Sequence, residues 1–182
     1  MLDRSYRWTP EPNWLDAVLR GDQCSVAAIP NCVQIMLSGN IGSGLEAMKI
    51  NEKGWNERND GEPYVVRLGR MRALVVSRTA IETAGDDSSW HETGLAISDV
   101  SDGLMAFEVA GPGTFDLMRQ MLPIDLRSVR NAEGGSARMR LDEASVIAYP
   151  HDREDKVRLH VECSHGTYVW QVLAMAMRSV VE

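Results

Sequence analysis

Three side chains of the kinds that bind zinc lie close together near the C-terminal end of the sequence. His160, Cys163 and His165 all occur within the segment HVECSH, and imidazole nitrogens and thiolates are ordinary zinc ligands. The run KVRLHVEC alternates apolar and polar residues, which predicts a strand with Cys163 on its apolar face and His160 on its polar face. Because these side chains would point apart, we expect no metal in this chain, although a β-bulge would rotate Cys163 toward His160.

Two glycine-rich corners have the composition of phosphate-binding loops. The segment GNIGSG, residues 39–44, has neither the GxGxxG spacing nor the GK[ST] ending of a nucleotide loop, so it predicts a turn before a helix. In FEVAGPGTFDLMRQML a strand leads through glycine and proline into an apolar helix. Gly111 suits an N-cap and Pro112 a first helical position, so we expect this corner to turn the chain and to bind no cofactor.

No arrangement of residues predicts catalysis by the chain itself. A nucleophile-elbow motif, G-x-S-x-G, does not occur. The acidic pairs Asp86-Asp87 and Asp142-Glu143 stand beside turn-forming residues, which indicates solvated loop charges rather than a general acid and base. We therefore assign no catalytic, cofactor-binding or metal-binding residue to this chain.

The composition is that of a globular protein. The 182 residues are 44% hydrophobic and 25% charged, with a formal net charge of −7. We expect one compact domain of two small lobes, residues 1–94 and 95–182, the first with an N-terminal helix or arm. The acidic balance and the absence of long lysine and arginine runs argue against nucleic acid as a partner.

The sequence also predicts a cytoplasmic protein with no membrane span. Its longest apolar runs are much shorter than the roughly 20 residues that cross a bilayer, and its charged N-terminus does not look like a signal peptide. Cys24, Cys32 and Cys163 are odd in number and show no CxxC pairing. We expect them to be reduced, buried thiols.

Local patterns predict the elements of the first half. TPEPNWLDAVLRGD fits a short helix with Thr9 as N-cap and Pro10 at its first position. CSVAAIPNCVQIML predicts two strands separated at Pro30-Asn31, and a turn and a short helix follow. YVVRLGRMRALVVSR predicts a hairpin that turns near Gly69-Arg70.

The second half predicts three further strands and a final helix. SARMRL, ASVIAY and KVRLHVEC are separated by polar turns, and the helix begins near Gly166. Apolar residues occupy more of that helix than one packed face needs. We expect Val169 and Leu173 to lie on the core side, and Trp170 and Met177 to be left over as an anchor for a partner.

Three short motifs resemble the gamma subunit of heterotetrameric sarcosine oxidase. They are an Asp-hydrophobic-Ser segment, a strand ending in Ala-Gly-Pro, and Pro-hydrophobic-Asp-Leu after the helix. The residues are Asp99, Val100 and Ser101; Ala110, Gly111 and Pro112; and Pro123, Ile124, Asp125 and Leu126. Weaker similarities are Gly135 and Ser136 followed by Arg138 or Arg140, and Trp170 with Leu173 in the last helix. The first-lobe hairpin, LGRMRALVV, departs from the family by lacking its proline, acid and tryptophan.

The resemblance implies a fold and a role. The fold would be α+β, with two lobes of antiparallel sheet and packed helices like a folate-dependent aminomethyltransferase domain. The complex would oxidise sarcosine to glycine, form hydrogen peroxide, and release the one-carbon unit as formaldehyde or methylene-tetrahydrofolate. FAD, FMN, NAD and tetrahydrofolate would belong to alpha and beta partner subunits, and zinc to delta. The alternatives are a gamma-like subunit of a related N-methylamine oxidase or dehydrogenase, and a stand-alone folate-binding protein.

Overall fold

Two antiparallel sheets form the centre of the protein. The structure, a computed structural model, describes residues 11–50, 61–81, 90–91, 94–129, 137–152 and 155–179. One sheet has six strands in the order β1-β2-β8-β11-β10-β9. These strands are β1 (Val18–Arg20), β2 (Ser25–Ile29), β8 (Leu104–Ala110), β9 (Ala137–Leu141), β10 (Ala144–Pro150) and β11 (Lys156–Glu162).

The second sheet has five strands in the order β4-β5-β3-β7-β6. They are β3 (Val33–Gly39), β4 (Tyr64–Gly69), β5 (Arg72–Ser77), β6 (Trp90–His91) and β7 (Leu95–Asp99). The chain reaches this sheet from β2 through the Pro30-Asn31 turn, where Asn31 has a φ of 55°. Each sheet therefore contains strands from both sides of residue 94, since β1 and β2 join β8 while β7 joins β3.

Helices cover the outer faces of the two sheets. The helices are α1 (Ile41–Ala47), α2 (Thr114–Met121), α3 (Leu126–Val129) and α4 (Gly166–Ser179). α2, α3 and α4 share an apolar core with one face of the six-stranded sheet, and α1 shares another with the outer face of the five-stranded sheet. A third core lies between the sheets and includes Tyr64, Leu74 and Tyr149. None of the described helices is long and apolar enough to cross a bilayer.

Most predicted elements are confirmed. The hairpin is β4–β5, the two strands around Pro30-Asn31 are β2 and β3, and the three later strands are β9, β10 and β11. The strand, glycine corner and helix order occurs in both halves, as β3–α1 and as β8–α2. These elements were predictable because each is specified by its own periodicity and its own turn residues.

The predicted N-terminal helix is wrong within the described residues. Asn13 to Asp16 form a turn, and Val18–Arg20 is a strand paired with β2. Leu19 packs on the core beneath the helices, while Val18 remains 44% exposed. Pairing with β2 has overridden the helical pattern; Thr9 and Pro10 lie outside the described residues.

The corner between β8 and α2 turns the chain, as expected, but the helix starts later than predicted. α2 begins at Thr114 with Gly113 in the N-cap position, so Gly111 and Pro112 precede the helix. Gly111 has a φ of +127°, and a Cβ there would lie 2.6 Å from the carbonyl oxygen of Gln23. The Gly113 amide donates to that oxygen at 3.0 Å. The turn between β1 and β2 therefore packs directly against Gly111 and Gly113 and leaves no room for a side chain at Gly111.

Gly111→Ala should lower the free energy of unfolding by about 2 kcal/mol or more, because it adds both backbone strain and a clash with Gln23. Gly103→Ala is the matched control, since a Cβ there would meet only the Val100 carbonyl oxygen at 3.5 Å. Urea unfolding of both variants measures the difference. Equal stability of the two variants would contradict the packing described for the corner.

Candidate functional site

The three zinc-type side chains are not brought together. His160 in β11 points between the sheets and is 1% exposed. The strand ends at Glu162, and Cys163 begins a short 3-10 turn, Cys163–His165, where its Sγ donates to the Asp102 carbonyl oxygen at 3.2 Å. The orientation of Cys163 is therefore set by that turn rather than by strand alternation. In the part of the chain that the structure describes, no three His, Cys, Asp or Glu residues form a group that could hold a metal ion.

The cysteines are free, but they are not all buried as predicted. Cys24 and Cys32 are buried, whereas Cys163 is exposed. Burial raises the pKa of the Cys32 thiol to about 11 and also raises the pKa of Cys24 and of Cys163. The thiols are therefore protonated at neutral pH, the opposite of an activated nucleophile.

The acidic pair in the second half belongs to a tight turn. Asp142 has a φ of 50° between β9 and β10, and its carboxylate accepts a hydrogen bond from the Tyr168 hydroxyl. Arg140 donates to the carbonyl oxygens of Asp142 and Glu143, at 3.3 and 3.0 Å. The other pair, Asp86-Asp87, lies outside the described residues.

The glycine loop 39–44 connects a strand to a short helix. The Asn40 side chain caps α1 by accepting from the Ser43 amide at 3.4 Å. A Cβ on Gly44 would come within 3.1 Å of Leu37 and Leu95, so this glycine permits close packing of α1 on the sheet. The loop has a structural reason for its composition.

A buried polar network joins the two sheets, and it is the main concentration of titratable side chains in the described interior. We call it the inter-sheet network. Its members come from β3, β4, β10 and β11 and are at most 7% exposed. They are Gln34, Tyr64, Tyr149, Arg158 and His160.

The hydrogen bonds of the inter-sheet network have one consistent direction. Arg158 has only donors, and its Nη1 lies 2.5 Å from the Tyr64 hydroxyl oxygen, which must accept. At the other end, the Gln34 side-chain nitrogen Nε2 donates to the Leu104 carbonyl oxygen, so Gln34 Oε1 must accept from His160 Nδ1 at 2.5 Å. Nε2 of the neutral imidazole then accepts from the Tyr149 hydroxyl at 2.6 Å, and the Tyr149 oxygen accepts from the Tyr64 hydroxyl at 2.9 Å.

Both ends of the network are anchored. The side-chain nitrogen Nε2 of Gln34 donates to the Leu104 carbonyl oxygen at 2.7 Å. At the other end, Arg158 Nε lies 3.3 Å from a carboxylate oxygen of Glu108, whose second oxygen lies 3.3 Å from Lys156. Every buried polar group along this path thus has a partner, which is the condition under which a polar interior stabilises a fold.

Two histidines in this region are held neutral. Burial lowers the pKa of His160 to about 3, and the nearby Arg158 charge lowers it further in the same direction. Burial likewise lowers the pKa of His151 to about 3, again with a contribution from Arg158. His151 is 4% exposed, contacts the Tyr64 ring in a tilted arrangement at a centroid distance of 4.6 Å, and leaves Nδ1 without a hydrogen bond in the described structure.

Two cavities lie beside the network. The larger, about 420 Å³, is bounded by the β2–β3 and β7–β8 turns and by Trp14, Cys32 and Cys163. The smaller, about 280 Å³, opens between the sheets and includes His160 in its wall, with Arg72 and Arg138 among its other lining residues. We call the smaller one the arginine-rimmed cavity.

Sequence reasoning did not identify the inter-sheet network. Its members come from strands far apart in the chain, and single-strand patterns do not reveal which polar side chains meet. The available signal was that Arg158 and His160 alternate with valine and leucine in a strand that is buried on both faces. On such a strand, polar residues must find partners inside the protein.

The predicted partner anchor on α4 is wrong, because both residues lie in the chain's own core. Trp170 is 8% exposed, with ring centroids 5.6 Å from Trp14 and 5.7 Å from Phe107. Met177 is 7% exposed and packs beside Gly21. The N-terminal segment covers the second face of the helix, so a partner is not needed to explain its apolar width.

Trp170→Ala should lower the free energy of unfolding by about 3–5 kcal/mol, because it leaves a cavity between Trp14 and Phe107. Met175→Ala on the same helix should change it by less than about 0.5 kcal/mol, since Met175 is 61% exposed. Chemical denaturation monitored by circular dichroism compares them. If Trp170→Ala were as stable as Met175→Ala, Trp170 would not be a core residue, and its side of the helix would again be expected to contact a partner.

Stability should fall as pH decreases from about 6.5 toward 3. In that range the unfolded chain protonates His151 and His160, at the ordinary pKa of about 6.5, while the folded chain does not until about 3. At pH 4.5 each of these histidines should lower the free energy of unfolding by about 2–3 kcal/mol relative to pH 7. His160→Gln should remove the contribution of one histidine from this loss of stability, and urea unfolding at several pH values measures it. An unchanged slope in His160→Gln would contradict a neutral buried imidazole.

Comparison with known proteins gives a match in structure. A chain of heterotetrameric sarcosine oxidase from Corynebacterium sp. U-96, solved in complex with pyrrole 2-carboxylate, has a TM-score of 0.67 to this chain and is 16% identical to it. The match covers 88% of this chain and 87% of that chain. No protein-family model and no curated protein sequence matches the chain. The fold is thus similar to that of a sarcosine oxidase subunit, and the expected α+β class with two antiparallel sheets is confirmed.

Proposed function

We propose that this chain is a gamma-type structural subunit of a flavin-dependent complex that oxidises sarcosine or a related N-methylated amine. The observation that carries the proposal is the two-way coverage of the structural match, 88% of this chain and 87% of the sarcosine oxidase chain. The match extends over most of both chains, so the likeness concerns both sheets and their helices together and is not limited to one small part of the fold.

The motifs that resemble gamma subunits support the proposal, because they hold the turns of this fold. The Asp99 carboxylate accepts from the backbone amide of Ser101 at 2.9 Å, and the Ser101 hydroxyl accepts from the backbone amide of Gln34 at 2.9 Å. Gly111 lets β8 turn against Gln23. The Asp125 carboxylate accepts from the Arg127 amide at 2.9 Å at the start of α3.

The state of the reactive side chains supports a structural rather than a catalytic role. His160 uses both ring nitrogens inside the inter-sheet network, and the Cys32 thiol is kept protonated. In the proposed complex, larger alpha and beta subunits would hold FAD, FMN, NAD and tetrahydrofolate, and delta would hold zinc. The complex would work in the cytoplasm and would release glycine, hydrogen peroxide, and formaldehyde or methylene-tetrahydrofolate.

Co-production of the tagged chain with the proteins encoded beside its gene tests the proposal. We expect three further polypeptides to co-purify, with a flavin absorbance spectrum and sarcosine-dependent formation of hydrogen peroxide. The same chain purified alone should be colourless and should form no peroxide from sarcosine. N,N-dimethylglycine and other N-methylated amines, assayed beside sarcosine, distinguish the related oxidases. Turnover by the chain alone, or no flavoprotein among the co-purified partners, would overturn the proposal.

A further inference from the structure

The arginine-rimmed cavity has largely aliphatic walls, with Ser145 and His160 as their polar members, and a charged rim. It lies where the two sheets face each other, with Met36 and Leu68 on one wall and Leu104 and Ile147 on the other. Its volume of about 280 Å³ is close to the lower end of the range for small-molecule sites. The lining therefore suits a short apolar molecule.

The strand registers direct two arginines to the rim. Arg72 is two residues before Leu74 in β5 and so shares its face, which forms part of the core between the sheets. Arg138 in β9 pairs with Ile147 in β10, whose side chain belongs to the same core. Both guanidinium-bearing side chains thus extend from opposite sheets along the faces that enclose the cavity, and both line it.

The side chains of the two rim arginines have no hydrogen-bond or ion-pair partner among the described residues, a state they share with Arg20, Arg70 and Arg178. Arg127 pairs with Asp116 at 2.6 Å, and Arg140 is bound to the turn carbonyls of Asp142 and Glu143. Within the described ranges, the guanidinium groups of Arg72 and Arg138 make no hydrogen bond or ion pair, although the chain carries a net charge of −7. Glu162 is the single carboxylate among the lining residues.

We propose that the arginine-rimmed cavity binds a small molecule with a carboxylate head and a short apolar chain. The planar guanidinium groups match a carboxylate, and two of them facing one opening can hold it from both sides. The apolar walls exclude a fully hydrated anion but favour a hydrocarbon chain. This binding site is independent of the proposed subunit role, since it uses only groups of this chain.

The test uses the full chain labelled with ¹⁵N and titrated with acetate, butyrate and hexanoate. We expect saturable shifts at the Gly103 amide and the His160 ring, and about fourfold tighter binding for each added methylene. Hexanol, which lacks the charge, should bind at least tenfold more weakly than hexanoate. Equal binding of acetate and hexanoate, equal binding of hexanol, or no saturable shift up to the solubility of hexanoate would overturn the proposal.

The repeated sequence Arg-Met-Arg supplies matched variants, because one arginine of each copy lines the cavity and the other does not. Arg72→Gln and Arg138→Gln should each weaken hexanoate binding about tenfold. Arg70→Gln and Arg140→Gln should leave it within about twofold, since they change the net charge equally but lie outside the lining.

A fifth variant tests the sign of the electrostatic contribution. Glu162→Gln removes the carboxylate from the rim and should strengthen hexanoate binding. Thermal unfolding shows whether each variant is folded before it is titrated. Equal losses in all four arginine variants, or weaker binding in Glu162→Gln, would show that the arginines do not hold the carboxylate as proposed. Failure of this test leaves the co-purification result untouched, and the reverse also holds.

Discussion

The separation and register of the two sheets depend on the directed hydrogen bonds of the inter-sheet network. From Arg158 to Leu104, each group donates to the next, and the path crosses between the sheets more than once. A hydrogen bond has a preferred length and angle, whereas apolar contact does not, so the network limits how the sheets can slide. His160 is also part of the wall of the arginine-rimmed cavity, so the network helps to fix the shape of that space.

The sequence predicts the strands and helices whose local pattern of residues is sufficient to specify them. It does not predict structure that is determined by contacts with residues far away in the chain. The β4–β5 hairpin and strands β9 to β11 follow from alternation and turn residues, and the structure has them. The segment before Gly21 has a helical pattern but becomes a strand, because β2 offers it a paired edge. Helical spacing shows that the Trp170 side of α4 is apolar, but it does not show what covers that side. Trp14, which lies 156 residues earlier in the sequence, packs against Trp170 and covers it. Which residues join in the inter-sheet network is likewise a property of the assembled sheets.

The short motifs by which the sequence resembles gamma subunits lie at turns of the fold. The match to the sarcosine oxidase chain has 16% identity, yet the resemblance was visible at Asp99–Ser101 and at the Gly111 corner. Each of these positions satisfies a backbone constraint that few residues can meet. A carboxylate must accept the Ser101 amide, and a glycine must pass within contact of Gln23. The residues at Asp99–Ser101 and at Gly111 that carry the resemblance are therefore turn residues rather than aliphatic core residues.

The pairing of β2 with β8 sets an order of events during synthesis of the chain. Ser25 pairs with Ala110, and Gln34 bonds to His160, so early segments find their partners only after most of the chain has been made. Contacts so distant in sequence slow folding, because a long loop must close before they form. Until β8 has left the ribosome, the β1–β2 hairpin presents an unpaired strand edge, which favours association with other chains. Rapid capture by a chaperone or by a partner subunit would protect this edge while the remaining strands are made.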